Sequence, residues 1–398
     1  MVKIPVAFAE YTRRLMGDER FERYLQSFDE ETPVSIRLNP LKAAGMTVLG
    51  GEPVGWCRDG WYLPSRPVFT MDPLLHAGCY YVQEAASMFV CHVLQQYVDR
   101  PVSMLDLCAA PGGKSTAAIA SLPAGSTLCA NEPMRQRASI LSENVAKWGW
   151  PGCSVTNQYP RDFRKQKSRY DVILCDVPCS GEGMFRKDTA TIGEWSPQHV
   201  ERCWQLQRSI VADIWPCLND GGLLIYSTCT FNTKENEENV RWLTDEYAAQ
   251  VLPVDVKPEW HIVGSLLEGF SLPVYRFIPG ITRSEGLFMC VLRKGGDEQP
   301  ATRKSSGKRP NDVVQCQSSS AATVELSYQH AIAYLRGEAL VLPADTPRGI
   351  VEVSFLGHVL GQVKNIGSRA NNLYPKEWRI RTTHVPDEYK PILTGHSS

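Results

Sequence analysis

The chain has 398 residues, of which 43 % are hydrophobic, 21 % charged and 9 % aromatic. That is the composition of a folded globular protein, and it excludes disorder, collagen-like repeats and coiled coil. A prior of about 150 residues per domain allows two or three domains, and the formal net charge of −1 means that any nucleic-acid binding must rest on local basic patches.

Thirteen cysteines, an odd number without a C-x-x-C pair, predict reduced thiols in a cytoplasmic protein. The eight histidines form no ligand cluster, so no metal is expected. Residues 1–14 carry only a short apolar patch broken by Glu10, which is no signal peptide. No apolar run approaches the roughly 18 to 20 residues that span a bilayer, so no membrane partner is expected.

Taken in chain order, residues 11–28 show the spacing of an amphipathic helix, residues 33–38 of a strand, and residues 50–67 are rich in turn formers. Five short apolar runs follow, at 104–108, 126–130, 153–156, 170–175 and 223–227. Several lack polar alternation, the pattern of parallel strands buried on both faces. Helical patterns separate them. Met134, Ala138, Leu141, Val145 and Trp148 recur at three- and four-residue spacing. Ser196-Pro197 combines a helix cap with proline at the first helical position. Gly221-Gly222 supplies a turn into the fifth strand. Repeated β-α-β units predict an α/β, doubly wound, Rossmann-like sheet. Residues 296–325 turn to Gly, Ser, Pro and Lys/Arg and read as a linker. The expected domains are therefore 1–100, an N-terminal α+β subdomain; 101–295, the doubly wound sheet; and 326–398, a small β-rich domain.

Ligands of such sheets bind beyond the carboxyl ends of the strands. After the first strand stand Cys108, Ala109, Ala110, Pro111, Gly112, Gly113 and Lys114, small residues whose backbone can approach a ligand. A phosphate-binding P-loop is excluded, because the glycine it requires is Cys108, and no G-x-G-x-x-G is present. Glu132, nineteen residues past Gly113 at the end of the second strand, is placed to accept hydrogen bonds from a ribose. Asn157, ending the third, is a candidate contact to a base ring. Asp176, Cys179 and Cys229 follow the fourth and fifth strands, and Asn232 with Glu235 has capping-box spacing for the next helix. Adjacent strands would bring both thiols to one cleft, where Lys114 or helix N-terminal electrostatics could lower a thiol pKa. Together these groups fit one chemistry. A thiolate adds to an electron-poor ring carbon, the neighbouring carbon becomes nucleophilic toward a methyl donor, and an acid at the ring nitrogen stabilises the developing charge. The residues alone leave open which thiol attacks.

Asp106-Leu-Cys-Ala-Ala-Pro-Gly-Gly-Lys114, Asp176-Val-Pro-Cys-Ser-Gly181 and Ser227-Thr-Cys-Thr230 resemble the RNA cytosine-C5 methyltransferases of the Nol/Nop/Sun family. Ile36-Arg-Leu-Asn-Pro40 and Tyr80-Tyr-Val-Gln-Glu84 are similar to its N-terminal signatures, and residues 361–372 with 378–380 resemble the PUA-like tail of the bacterial 16S rRNA methyltransferase F group. The resemblance covers roughly residues 30 to 295 and then the tail. It implies S-adenosyl-L-methionine against Cys108 to Lys114, with Glu132 on its ribose and Asp176 near the site of methyl transfer. It implies Cys229 as the nucleophile toward C6 of cytosine and Cys179 as the thiol that assists release. Family members often carry an acid near Asn157, where this chain has an amide.

The expected partner is RNA, most readily small-subunit rRNA or the 30S subunit, with a monomer as the acting species. Transfer RNA is the alternative substrate, and a non-catalytic assembly factor the alternative class; the presence of both thiols, Lys114 and Asp176 speaks against the latter. Lys364, Arg369, Lys376, Arg379 and Arg381 stand among Tyr374 and Trp378 in the tail, a pattern suited to phosphates and unpaired bases. The basic run 159–169 reads as a solvated loop.

Overall fold

The computed structural model describes residues 4–295, 322–382 and 384–395. A central eight-stranded sheet runs Gln250–Leu252, Leu287–Arg293, Leu218–Thr228, Tyr170–Asp176, Ser103–Asp106, Thr127–Asn131, Cys153–Thr156, with Tyr275–Phe277 paired to Leu287–Arg293. The strands from Leu218–Thr228 to Cys153–Thr156 are parallel, and Leu287–Arg293 joins antiparallel.

Alternate residues explain why these runs lack polar positions. Met104, Leu128, Val172, Leu174 and Ile225 enter the core on one face, and Leu105, Ile173, Cys175, Leu224 and Tyr226 enter the core on the other. After Ser103–Asp106 the chain moves outward through Thr127–Asn131 to Cys153–Thr156, then returns to the opposite side at Tyr170–Asp176. That reversal opens a crevice over the carboxyl ends of Ser103–Asp106 and Tyr170–Asp176.

Several local expectations change. The helix expected over 11–28 is two, Val6–Met16 and Asp18–Gln26, because Gly17 between them takes φ 78° and redirects the chain. The helix Arg135–Trp148 buries Ala138, Leu141 and Trp148, but Met134 lies just before it and is 59 % exposed. The glycine pair 221–222 lies inside the long strand Leu218–Thr228, whose register shifts between Leu218 and Leu223. Ser196 does cap Pro197–Ile214, its hydroxyl accepting from the His199 amide at 3.1 Å. Asn232 Oδ1 accepts from the Glu235 amide and its Nδ2 donates to Glu235 Oε1, but the Asn232 backbone amide donates to Glu182, so the capping box is incomplete and the helix Glu237–Tyr247 begins beyond.

The N-terminal sheet, ordered Glu52–Pro53, Gly60–Tyr62, Ser35–Leu38, Tyr80–Val82, is antiparallel. The C-terminal sheet is Thr323–Glu325, Gly349–Phe355, His358–Asn365, Ala370–Asn372. Thr323–Glu325, placed in the linker by composition, is thus a strand, because its backbone pairs in parallel with Glu352–Ser354; positions 296–321 of that linker lie outside the described residues. The 326–398 region shares its core with the N-terminal sheet: Ile36, Val48, Phe69 and Leu74 pack with Ile332, Leu335, Val353 and Leu393, and Leu393–Thr394 pairs with Thr47–Val48. Among the described residues no helix is long and apolar enough to cross a membrane.

Candidate active site

The turn after Ser103–Asp106 is held from both sides. The Leu107 amide donates to the Leu174 carbonyl and the Ala109 amide to that of Asn131, at 3.0 and 2.8 Å. Gly112 takes φ 113°, a left-handed conformation that L side chains resist, and starts the helix Gly113–Ser121. Lys114 leaves its first turn and donates to Asp176 Oδ2 at 2.8 Å, while the Ser227 hydroxyl donates to Asp176 Oδ1 at 2.7 Å. Burial opposes the Lys114 charge, but the Asp176 carboxylate prevails and raises its pKa above the ordinary value.

Beneath the turn, Ser115 donates to Asp106 Oδ2 at 2.6 Å. Asp106 is fully buried, its Oδ1 has no hydrogen-bond donor, and burial pushes its pKa up to about 7. Glu132 is 1 % exposed and accepts from the Met134 amide through Oε1 at 2.9 Å. Its Oε2 lies 3.2 Å from Arg137 NH1 but receives no hydrogen bond of good geometry. Arg137 also donates to the Ala110 carbonyl at 2.9 Å, joining the turn to Glu132. Two buried carboxylate oxygens without donors, Asp106 Oδ1 and Glu132 Oε2, therefore flank a glycine turn. That donor-seeking pair suits a ligand rich in hydroxyl and ammonium groups, and S-adenosylmethionine is such a ligand. The Asn157 side-chain amide donates to the Glu132 and Pro133 carbonyls at 2.6 and 2.9 Å. Those bonds shape the Glu132 turn.

The two thiols meet. Cys179 Sγ lies 3.0 Å from Cys229 Sγ, and the Cys229 amide donates to Cys179 Sγ at 3.2 Å. The hydrogen bond with Cys229, then burial, pushes the Cys179 thiol well above its ordinary pKa; the lowered pKa expected near Lys114 is not found at Cys179. Two acids anchor the loops that carry the thiols. Glu182 accepts from the Phe231 and Asn232 amides at 2.8 and 2.9 Å and from Trp195 Nε1 at 2.9 Å. Glu235 accepts from the Ser180 amide at 3.1 Å and from Gln207 Nε2 at 2.6 Å; Gln207 in turn holds the Pro178 carbonyl. Burial raises Glu235 to about 7.

The crevice thus collects Lys114, Glu132, Asp176, Cys179 and Cys229 at one sheet edge. Sequence reasoning passed over Asp106, Arg137, Glu182 and Ser227. Three of these sit inside or beside the motifs quoted, and Arg137 stands five residues beyond Glu132.

The tail is only partly as expected. Lys364, Arg369, Lys376 and Arg381 are exposed and Arg379 is half-buried. Tyr374 is 4 % exposed, its ring packed on Tyr334 and Trp378, so core packing removes it from any stacking surface. The 159–169 run is not a loop throughout: Pro160–Lys165 is helical.

The family described as 16S rRNA methyltransferase RsmB/F matches residues 95–293. The N-terminal domain of 16S rRNA methyltransferase RsmF matches residues 4–85, and the methyltransferase RsmF PUA domain matches 321–380. The chain is similar to Ribosomal RNA small subunit methyltransferase F of Pectobacterium atrosepticum, 33 % identical over 75 % of this chain and 64 % of that protein. It is also similar to the protein of that name from Serratia proteamaculans, 30 % identical over 80 % of this chain and 71 % of the relative. The match thus spans under two thirds of the Pectobacterium relative. Among solved structures, a methyltransferase homolog protein from Pyrococcus horikoshii superposes with a TM-score of 0.62 at 24 % identity, over 74 % of this chain and 96 % of its own. NSun6 from the same organism, solved with SFG, superposes with a TM-score of 0.60 at 19 % identity, over 74 % of this chain and 99 % of its own. These two likenesses speak for the fold alone. The extent of the family and relative matches, running from the N-terminal helices through both thiols to the C-terminal sheet, shows that the chain belongs to the 16S rRNA methyltransferase RsmB/F family.

Proposed function

We propose that this protein transfers a methyl group from S-adenosylmethionine to C5 of a cytosine in RNA, with small-subunit rRNA as the substrate. The observation that carries the reading is the 3.0 Å approach of Cys179 and Cys229 beside the Lys114–Asp176 pair, at the mouth of a glycine turn. Bound against Cys108 to Lys114 with its ribose on Glu132, S-adenosylmethionine supplies an electrophilic methyl group. Cys229 adds through sulfur to C6 of the ring, and its thiol proton passes through the Lys114–Asp176 pair to the ring nitrogen, where it neutralises the charge that develops. C5 becomes nucleophilic and takes the methyl group. Cys179, whose thiol is pushed well above its ordinary pKa, serves the later step: as the Cys229–C6 bond breaks and the C5–C6 double bond re-forms, it gives its proton to the departing Cys229 sulfur and takes up the proton that C5 loses.

A base inside a duplex cannot reach two thiols in a crevice, so the target nucleotide turns out of its stack. The exposed Lys364, Arg369, Lys376 and Arg381 of the C-terminal region hold the surrounding RNA by its phosphates. The test is incubation of purified protein and S-adenosylmethionine with 16S rRNA, assembled 30S subunits and tRNA, followed by bisulfite sequencing. New protected cytosines in 16S rRNA or 30S support the reading. Protection confined to tRNA overturns the substrate, and none in any RNA overturns the activity.

A further inference from the structure

Arg37, on the strand Ser35–Leu38 of the N-terminal sheet, is 2 % exposed. Among the described residues its hydrogen-bond partners are all uncharged, and the Asp59 carboxylate acts on it through charge alone. Nε donates to Gln83 Oε1 at 2.8 Å, and NH2 donates to the Thr116 hydroxyl at 2.6 Å and towards the Gly113 carbonyl at 3.4 Å. The guanidinium lies 4.4 Å from the centre of the Trp148 ring. A buried cation with no carboxylate in direct contact is costly, and the nearby positive end of the helix Gly113–Ser121 opposes it further. Burial accordingly lowers the pKa of Arg37. Packing alone would be better served by an apolar side chain, so the location calls for another explanation.

Gly113 and Thr116 bracket Lys114 and Ser115 in the first helical turn. Those two residues reach Asp176 and Asp106, one at the reacting site and the other under the glycine turn. The same sheet meets this turn again: a Cβ added to Gly113 would lie 3.3 Å from Tyr81 Cε1 and 3.5 Å from Gln83 Nε2.

We propose that Arg37 is a positioning residue for the cofactor site: through its guanidinium the N-terminal subdomain sets the helical turn that carries Lys114 and Ser115. Residues 101–295 then do not complete the cofactor pocket by themselves. The inference rests on reading the Cys108–Lys114 turn as the S-adenosylmethionine site. Loss of the guanidinium lets the turn shift, which weakens cofactor binding and slows the step that needs Lys114 at Asp176, while the RNA-facing surfaces stay as they are.

The test compares Arg37→Met, which retains an apolar stem against Trp148, with Arg37→Lys and with Asn39→Ala. Asn39 belongs to the same interface but bonds the Gly78 and Trp148 carbonyls, away from the turn. Calorimetry with S-adenosylmethionine, thermal melting and RNA filter binding are run on the full chain. Arg37→Met is expected to weaken cofactor binding by at least roughly tenfold, the effect of losing a charged hydrogen bond. Arg37→Lys should recover part of it, and Asn39→Ala should lower the melting midpoint without changing cofactor affinity. Unchanged affinity in Arg37→Met overturns the proposal, as does an equal loss in Asn39→Ala. Should Arg37→Met fail to fold, Gln83→Met removes the oxygen that holds Arg37 Nε and leaves the Thr116–Gly112 bond in place; weakened cofactor binding supports the role, and unchanged binding overturns it. An unaltered protein that binds RNA but no S-adenosylmethionine overturns the functional reading, and this inference with it.

Discussion

Cys179 and Cys229 touch sulfur to sulfur at 3.0 Å although 50 residues separate them. They do so because Tyr170–Asp176 and Leu218–Thr228 are paired in parallel register, Asp176 opposite Ser227, so that each strand delivers its thiol to the same end of the sheet. Their surroundings differ. The Cys179 sulfur accepts the Cys229 amide and its thiol is pushed up, which suits it to hold a proton. The two substitutions are therefore expected to fail differently. Cys229→Ala should form no covalent complex with RNA, and Cys179→Ala should attack, transfer methyl and stall with RNA attached. A denaturing gel with labelled RNA and S-adenosylmethionine should show a slow band for Cys179→Ala alone. A band for Cys229→Ala instead would exchange the two roles.

Glu132→Ala should weaken S-adenosylmethionine binding by about 1 to 3 kcal/mol, the cost of leaving polar partners unpaired. The carboxylate is buried, with Oε1 holding the Met134 amide and Oε2 without a hydrogen-bond donor, so thermal melting of the variant accompanies the binding measurement. Calorimetry on RNA-free protein measures this directly, and an unaltered affinity removes Glu132 from the site.

Asp106 predicts a pH dependence of stability. Burial raises it from an ordinary carboxylate value of 3.8 to about 7. Between those values the folded protein binds more protons than the unfolded chain, so stability falls as pH rises through that window. Asp106→Asn removes this loss. Its advantage should be absent near pH 4 and reach about 1 to 4 kcal/mol at pH 8, on roughly 1.4 kcal/mol per pKa unit. Urea titrations of both proteins at pH 5 and pH 8 check it; a constant difference between them would mean that Asp106 does not titrate there.

Truncation before residue 322 should destabilise what is left, against the separable tail that composition alone suggests. It removes Leu393 from Val48, the Tyr328 hydroxyl from the Met71 carbonyl and the Tyr389 hydroxyl from Asp72, and it exposes an apolar face of the N-terminal sheet. A fall in melting midpoint of more than about 5 °C is expected, equivalent to a few kcal/mol for a domain of this size. An unchanged midpoint would show that the shared core contributes little.

Lys364→Ala combined with Arg369→Ala should lower the slope of log RNA affinity against log salt by roughly 1 to 2, since each phosphate contact releases about one counterion. Both side chains are exposed, so the melting midpoint should hold. An identical slope places the RNA elsewhere on the surface.

The sequence by itself determines the sheet and what stands at its edge. A strand buried on both faces has no polar positions, so its apolar run is visible in one dimension, and the functional turn follows within a few residues. Hence Cys108 to Lys114, Glu132, Asp176, Cys179 and Cys229 can all be placed at one edge from local pattern. Only the tertiary structure decides which atoms meet. Arg37 is 79 residues from Thr116, Glu182 and Glu235 converge on the Asn232 side-chain amide to brace the thiol loops, and Tyr374 turns into the core. Thr323–Glu325 becomes a strand through a partner near residue 353. Such contacts join side chains distant in sequence, carry no period of their own, and depend on how complete elements pack once their apolar faces are buried.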